Sequence, residues 1–224
     1  MFLNGVRYIQ DNKGLIKGDF FDLAKDKSAR LFNLIAPVYG LFYNYQRRRY
    51  YCTVKNYKRE INISSANNVV DIGCGTGSLC SVLKELGINV VGIDSAKKML
   101  TFAMNMPENK GVEFIQANVL KELPFNSKSF DIAISSYVAH GITREERKSM
   151  YCEMSRITKN YVVIHDYNSK KSFTTSIIER LEGGDYFNFI ENAEHEMKEC
   201  FSEVRVINVG KRANWYICKP RIFF

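Results

Sequence analysis

Two neighbouring segments, VVDIGCGTGSL at residues 69–79 and VVGID at residues 90–94, constrain the fold of this chain more than any other feature. Their pattern predicts a buried strand, a glycine-rich turn, a helix and a second strand that ends in an acid. Asp71 falls at the carboxyl end of the first strand, where open α/β sheets bind ligands. Asp94 ends the second strand, where its carboxylate can accept hydrogen bonds from both hydroxyls of a ribose. Glycines that permit a tight turn and the close approach of a ligand follow Asp71 at two-residue spacing: Gly73, Gly75 and Gly77.

The glycine turn allows more than one interpretation. A dinucleotide-binding turn reads G-x-G-x-x-G, but here the third glycine comes one residue early and Ser78 takes the dinucleotide position. Asp71 would also repel a pyrophosphate, whereas it suits a ligand whose near end carries an ammonium group. In a further interpretation the glycines serve only the packing of a strand against a helix.

The spacing of Asp71, the glycines and Asp94 resembles that of the class I S-adenosylmethionine-dependent methyltransferases. The resemblance covers residues 65–167 and implies methyl transfer from S-adenosylmethionine, with S-adenosylhomocysteine as the product. It implies that Asp71 faces the ammonium group of the cofactor and that Asp94 binds the ribose. The turn amides and the following helix N-terminus would receive the carboxylate. Asp94 has an alternative role as the N-cap of the next helix.

The resemblance also implies the contacts of the adenine. Ser95 and Met99 would line it, and the amide of Val119 would donate to its ring. Asn118 stands where many relatives have an acid that accepts from the adenine amino group. Its side-chain carbonyl can still accept that hydrogen bond, as an uncharged and weaker partner.

Two more contacts complete the predicted cofactor site. Ser135, near the end of a predicted strand, offers its backbone, and Tyr39 or Tyr43 either covers the cofactor or packs between helices. The whole predicted cofactor site is Asp71, Gly73, Cys74, Gly75, Thr76, Gly77, Asp94, Ser95, Met99, Asn118, Val119, Ser135 and Tyr39.

Length and composition restrict the class of protein. The chain has 224 residues, enough for one α/β domain with additions. No apolar run approaches the roughly 20 residues needed to span a bilayer. The first residues lack the order of a secretory signal, so we expect a cytoplasmic protein. The six cysteines form no C-x-x-C pair and the three histidines show no metal-ligand spacing, so we expect no metal site.

The formal net charge of +8 permits attraction to nucleic acid or to an anionic membrane surface. A lysine-rich solvated surface explains the same charge. The basic residues are scattered apart from Arg47, Arg48 and Arg49, which point in different directions in a predicted helix.

The apolar pattern predicts the organisation of the chain. Residues 1–63 read as a helical cap or lid, and residues 64–224 as a Rossmann-like domain with a helical insertion near residues 170–200. Strands are predicted at 68–72, 89–93, 112–116, 130–136, 160–165, 203–209 and 213–219. Helices are predicted at 76–87, from an N-cap at Ser95 to Pro107, at 143–157 with Thr143 as the N-cap, at 172–181 and at 188–200.

Alternating strands and helices predict right-handed crossovers and a parallel sheet. The fold class is therefore α/β: a three-layer Rossmann-like methyltransferase fold whose mostly parallel, seven-stranded sheet ends in an antiparallel hairpin. The reversed strand is implied by the resemblance, since the pattern alone shows only a hairpin through Gly210. The aromatic segments FFDLA and IAPVYGLFY loosely resemble the ubiquinone and menaquinone methyltransferase group.

His140 is the first candidate for a catalytic residue, because histidine titrates near neutrality and this one follows the fourth strand of the predicted domain. Tyr137 either orients a methyl acceptor or has only a role in packing. His165 and Asp166, after the fifth strand, are the second candidates. A single histidine near a strand end also has a common structural role as a hydrogen-bonded residue.

The methyl acceptor is expected to be a small molecule. The fourth strand is not followed by the Asp/Asn-Pro-Pro-aromatic run of methylases that modify amino groups of nucleic acids, and no RNA-binding module is visible. The alternatives are a nucleic-acid methyltransferase that uses the basic surface, and a nucleoside-binding protein without catalysis. The expected assembly is a monomer or a homodimer.

Overall fold

The computed structural model describes residues 2–3, 6–7, 30–34, 40–169 and 185–221. Its strands, in chain order, are β1 (Phe2–Leu3), β2 (Val6–Arg7), β3 (Asn68–Ile72), β4 (Asn89–Asp94), β5 (Glu113–Gln116), β6 (Phe130–Ser136), β7 (Thr158–Tyr167), β8 (Glu203–Gly210) and β9 (Ala213–Lys219). Its α-helices are α1 (Tyr43–Tyr57), α2 (Ser78–Glu85), α3 (Lys97–Asn105), α4 (Arg144–Ile157) and α5 (Tyr186–Cys200). Short 3₁₀ helices lie at Lys58–Ile61, Ile63–Ser65, Pro107–Asn109 and Ala139–Gly141.

The chain divides into two compact units, of which the first comprises Met1–Asn56 and Val70–Val119. Its strands lie in the order β2, β5, β4, β3. β4 and β5 are parallel, with Asp94 opposite Gln116 at their carboxyl ends. Nearly all of β3 is buried, as expected for a strand with both faces covered.

The second unit comprises Tyr57–Val69 and Leu120–Phe224. Its strands lie in the order β6, β7, β9, β8. β6 and β7 are parallel, whereas β9 runs antiparallel to both β7 and β8. The predicted C-terminal hairpin is therefore confirmed, and its second strand lies between β7 and β8.

The predicted fold class is confirmed. Apart from the two short N-terminal strands, the described residues form seven strands, mostly parallel, with an antiparallel C-terminal pair and helices between the parallel strands. The observed strand bounds agree with the predicted ones within about two residues, because the apolar runs that predict them are the buried runs of the sheet.

The helix α4 begins as the sequence predicts. Thr143 is its N-cap: the side chain of Thr143 accepts a hydrogen bond from the amide of Glu146, and the side chain of Glu146 accepts one from the amide of Thr143. This reciprocal pair satisfies two amides that a helix N-terminus otherwise leaves without partners.

Asp131, at the start of β6, has a structural role. One carboxylate oxygen of Asp131 accepts hydrogen bonds from the amides of Asn67 and Asn68, at 2.7 and 3.2 Å. The other oxygen lies 3.2 Å from the ammonium of Lys159.

One helix start was predicted wrongly. The N-cap of α3 is Ala96, not Ser95. The carboxylate of Asp94 accepts a hydrogen bond from the amide of Ala96 at 2.8 Å. This bond replaces the capping bond that was expected from the Ser95 hydroxyl.

Several predictions lie outside the described residues. They are Tyr39, the helix at 172–181, and most of the two N-terminal aromatic segments. The division into a lid at 1–63 and an insertion near 170–200 stays a prediction.

Candidate active site

The glycine turn is tied to the end of the neighbouring strand. The amides of Gly73 and Cys74 both donate to the carbonyl oxygen of Ile93, at 2.8 and 2.9 Å. The amide of Gly77 donates to the carbonyl of Cys74 at 2.9 Å, which closes the turn before α2 begins. These bonds bring the carboxyl ends of β3 and β4 together, so the acids that end the two strands share one edge of the first unit.

Asp94 holds the turn and the next helix at the same time. One oxygen of its carboxylate accepts from the amide of Gly75 at 2.8 Å, and the other accepts from the amide of Ala96 at 2.8 Å. Each carboxylate oxygen can accept more than one hydrogen bond, so accepting these amides does not by itself prevent a contact with a ribose. The capping role and the ribose role are therefore compatible.

The hydrogen bonds of the turn limit which backbone amides can receive the cofactor carboxylate. The amides of Gly73, Cys74, Gly75 and Gly77 already donate within the protein. The first amides of α2, which a helix leaves without internal partners, are placed to receive an anion.

Asp71 is a buried acid with an acceptor atom to spare. Its exposed fraction is 1%. One carboxylate oxygen lies 3.3 Å from the thiol of Cys80, and the other accepts no hydrogen bond from any described residue. The pKa of Asp71 is raised to about 7, mainly by burial and with a smaller contribution from the charge of Asp94, while the hydrogen bond from the Cys80 thiol opposes the shift. A ligand ammonium would supply the missing partner and favour the ionised carboxylate.

Open space lies beside the turn at one glycine. A β-carbon added to Gly75, whose φ is +53°, would meet no atom within 4 Å. A β-carbon added to Gly77 would instead come within 2.5 Å of the Asn109 side-chain nitrogen and within 3.0 Å of the Phe114 ring. The turn is packed against protein at Gly77 and open at Gly75, where the fold leaves room for a ligand.

A contact from helix α1 to the turn was missed by sequence reasoning. The side-chain oxygen of Gln46 accepts from the hydroxyls of Thr76 and Ser78, at 3.4 and 3.3 Å. These residues are 30 and 32 positions from Gln46 in the chain. No local pattern signals a contact over that distance.

The residues expected around the adenine have mixed environments. Met99 is buried with Ala96, and the partly buried Phe32 packs against them. The carbonyl of Ser95 accepts from the side-chain nitrogen of Gln116 at 3.1 Å. Asn118 and Val119 follow β5 and are half-buried. Tyr43, the alternative to Tyr39, is buried and packs its ring on Phe102, with 6.1 Å between ring centroids.

In the second unit, His140 is paired with a buried carboxylate. The Nδ1 atom of His140 lies 2.7 Å from Oδ1 of Asp166, which is fully buried. The same carboxylate accepts from the backbone amides of Tyr167, at 2.8 Å, and of His140 itself, at 3.3 Å. Sequence reasoning named both residues separately as candidate bases, and the structure brings them together as a pair.

Aromatic rings surround this pair. The ring of Tyr167 lies 4.7 Å from that of His140 and 5.2 Å from that of Tyr186, measured between centroids. The ring of Tyr137 lies 5.0 Å from that of His165. Tyr137 has a left-handed backbone with φ of +57°, an uncommon conformation for a residue with a side chain. Its amide donates to the His165 carbonyl at 2.9 Å, which fixes that conformation.

A buried arginine holds the turn that carries His140. The guanidinium of Arg147 donates to the carbonyls of Ala139 and Ile142, the latter at 2.5 Å. It also makes a bidentate bond to Glu196 of α5, at 2.6 and 2.8 Å. These bonds connect the turn that carries His140 to α5. Breaking them is costly, because removing either partner of a buried ion pair leaves an uncompensated charge.

Ser135 lies one residue before the end of β6 and pairs with Ile164 of β7. Its hydroxyl and that of Ser136 are buried without a hydrogen-bond partner among the described residues. Buried hydroxyls are normally satisfied, so their location at the carboxyl end of a strand suits contact with a ligand.

Comparisons with known proteins agree with this geometry. Residues 70–164 match a family described as a methyltransferase domain. A methyltransferase of uncharacterised function from Staphylococcus carnosus is 25% identical over 173 residues, which is 74% of this chain and 81% of the relative. Another, from Alkaliphilus oremlandii, is 24% identical over 186 residues, or 77% of this chain and 84% of the relative.

Among solved structures, a methyltransferase dependent on S-adenosylmethionine from Thermotoga maritima has the same fold. It superposes with a TM-score of 0.63 at 17% identity, covering 85% of this chain and 99% of that one. With the family match and the acid-flanked glycine turn, these findings support the resemblance to the class I S-adenosylmethionine-dependent methyltransferases.

Membrane-spanning helices and metal-binding clusters are both absent from the described residues. No described helix is both long and apolar enough to cross a membrane. Within the same part of the chain, no group of three or more His, Cys, Asp and Glu side chains is arranged to hold a metal ion.

Proposed function

We propose that this methyltransferase acts on a small-molecule acceptor and that His140 is its general base. The observation that carries the proposal is the 2.7 Å bond between the His140 imidazole and the buried Asp166 carboxylate, surrounded by tyrosine rings. A carboxylate at Nδ1 fixes the orientation of the ring and stabilises the imidazolium that forms when the base takes a proton.

We further propose that the first unit binds the cofactor through the two acids and the open glycine. S-adenosylmethionine, when bound, supplies a methyl group made electrophilic by its sulfonium. Asp71 would hold the ammonium end, since its second oxygen has no partner among the described residues. Asp94 would accept from the ribose, and the open side of Gly75 would admit the ligand. Ser95, Met99, Asn118, Val119 and Ser135 stay predictions for the remaining contacts.

His140 would act by removing a proton from an acceptor that starts protonated. Because Asp166 accepts the hydrogen on Nδ1, the proton from the acceptor would go to Nε2. Tyr137 has an exposed side chain, and its amide is bonded to the His165 carbonyl in a strained backbone conformation, so it would orient the acceptor. The tyrosines around His140 favour an acceptor with a ring or an apolar surface.

A transfer assay tests the acceptor class. The protein is incubated with methyl-labelled S-adenosylmethionine and, in separate reactions, with a metabolite extract or with total RNA. We expect label in the small-molecule fraction and formation of S-adenosylhomocysteine in the first reaction only. Label in RNA would contradict the small-molecule proposal. Binding of the cofactor without any transfer would show a non-catalytic protein.

The affinity for S-adenosylhomocysteine is expected to fall as the pH drops through 7. The pKa of Asp71 is raised to about 7 by burial, so below that pH the carboxyl is protonated and loses its attraction for an ammonium. Linkage predicts roughly a tenfold loss per pH unit once the group is protonated, and proton release on binding at pH 6. Calorimetric titrations between pH 6 and 8 measure both effects. An Asp71→Asn variant should bind weakly with a flat profile. A wild-type profile without this fall would remove Asp71 from the ammonium site.

The cytoplasmic location and the monomeric or homodimeric state remain predictions of the sequence. The looser similarity to the ubiquinone and menaquinone group also stays a prediction, because most of the segments that suggest it lie outside the described residues.

A further inference from the structure

Large apolar side chains are exposed where helix α1 begins. The exposed fractions are 83% for Leu41, 54% for Phe42 and 63% for Tyr45. The bond from the Gln46 amide to the Phe42 carbonyl, at 2.9 Å, continues the helical pattern back to Phe42. Single exposed apolar residues are common, but neighbouring ones on a soluble surface usually mark an interaction site.

The exposed face continues along the helix as a basic one. Tyr45, Arg48, Cys52 and Lys55 recur at helical spacing, and all of them are exposed. The opposite side of the helix is buried, as Tyr43 and Val54 show. The helix is therefore anchored by one face and presents the other outward.

The charge on this outward face is entirely positive. The sequence of α1 holds no Asp or Glu between its ends. Arg47 pairs with Glu85, whereas Arg48 and Arg49 are exposed. An apolar tip followed by cations matches the two layers of an anionic lipid surface, whose acyl boundary takes apolar side chains and whose phosphates attract arginine.

We propose that this face docks on an anionic membrane surface. Leu41, Phe42 and Tyr45 enter the boundary between headgroups and acyl chains, and Arg48 and Arg49 pair with lipid phosphates. A nucleic acid fits less well, because its phosphates would satisfy the arginines but leave Leu41 exposed. The docking is peripheral and independent of the proposed acceptor chemistry.

Sedimentation with lipid vesicles tests the proposal. One vesicle population is phosphatidylcholine alone, and the other contains phosphatidylglycerol as well. We expect binding to the anionic vesicles at least about tenfold stronger than to the neutral ones, and weaker binding at high salt. Equal binding to both populations, or none to either, would overturn the proposal.

Two variants separate the contributions of the apolar and the basic side chains to vesicle binding. The double substitution Leu41→Ser with Phe42→Ser should weaken binding to anionic vesicles by about tenfold or more, since both side chains leave the boundary layer. The double substitution Arg48→Glu with Arg49→Glu should remove the preference for anionic lipid. The matched controls are Leu86→Ser and Lys211→Glu, exposed residues elsewhere that should bind as the wild type does.

The remaining outcomes are also decisive. S-adenosylhomocysteine affinity is measured for every variant, and unchanged affinity shows a folded cofactor site whether or not vesicles bind. Unaltered vesicle binding by both double variants would overturn the assignment to this face. Polynucleotide binding that the arginine variant loses, without vesicle binding by the wild type, would assign the face to nucleic acid instead.

Discussion

Replacing Gly75 with valine is expected to abolish S-adenosylhomocysteine binding while the chain stays folded. The β-carbon of the new side chain meets no protein atom within 4 Å, so the valine extends into the space proposed for the ligand. The left-handed backbone, with φ of +53°, costs about 1–2 kcal/mol of stability for a residue with a β-carbon, and somewhat more for the β-branched valine. That loss is small enough for a folded protein, and calorimetric titration together with thermal unfolding measures both effects.

Gly77→Ala is the matched control for this prediction. Its φ of +74° also strains a residue with a β-carbon, and that β-carbon would in addition lie 2.5 Å from Asn109 and 3.1 Å from Ala103. We therefore expect Gly77→Ala to lower the unfolding temperature more than Gly75→Val does. Unchanged affinity in the Gly75 variant would mean that the ligand does not pass over this glycine, and the proposed cofactor site would be wrong.

Replacing His140 with alanine is expected to lower turnover at saturating cofactor by about 10²–10⁴-fold, the usual contribution of a general base. The affinity for S-adenosylhomocysteine should not change, because the proposed cofactor residues Asp71, Gly75 and Asp94 lie in the other unit. Asp166→Asn should lower turnover in the same direction, since the amide cannot stabilise the imidazolium as a carboxylate does.

His195→Ala serves as the control for general effects of losing a histidine. Its side chain is 75% exposed on α5, and its contact there is a surface pair with Glu199. Wild-type turnover in the His140 variant would remove that residue from the mechanism. A loss of cofactor affinity equal to the loss of turnover would show a structural role instead.

The fold was largely predictable because its signals are local. The strands at 68–72 and 130–136 have the predicted bounds, since each is a short apolar run buried in the sheet. The capping box of Thr143 and Glu146 was equally readable, because the two residues are three positions apart. The N-cap at Ser95 was predicted wrongly because Ser95 and Asp94 are both capping residue types. In the structure the carboxylate of Asp94 accepts the hydrogen bond from the amide of Ala96.

The residues of the candidate site could be predicted from the sequence, but the hydrogen bonds between them could not. Asp71 and Asp94 were named from their positions at strand ends, yet nothing in the sequence showed that Asp94 would bind the amide of Gly75. The bond between His140 and Asp166 joins residues 26 positions apart. The bond from Arg147 to Glu196 joins residues 49 apart. Such contacts depend on how the helices and strands pack, which a single sequence does not record.

Titration of S-adenosylhomocysteine into the wild-type protein tests the central proposal most directly, since every other prediction about catalysis requires that the turn between Asp71 and Asp94 binds this nucleoside. We expect saturable binding at one site per chain, and an unfolding temperature that rises with ligand concentration as mass action requires. A titration without saturable heat, and an unfolding temperature that the ligand leaves unchanged, would contradict it.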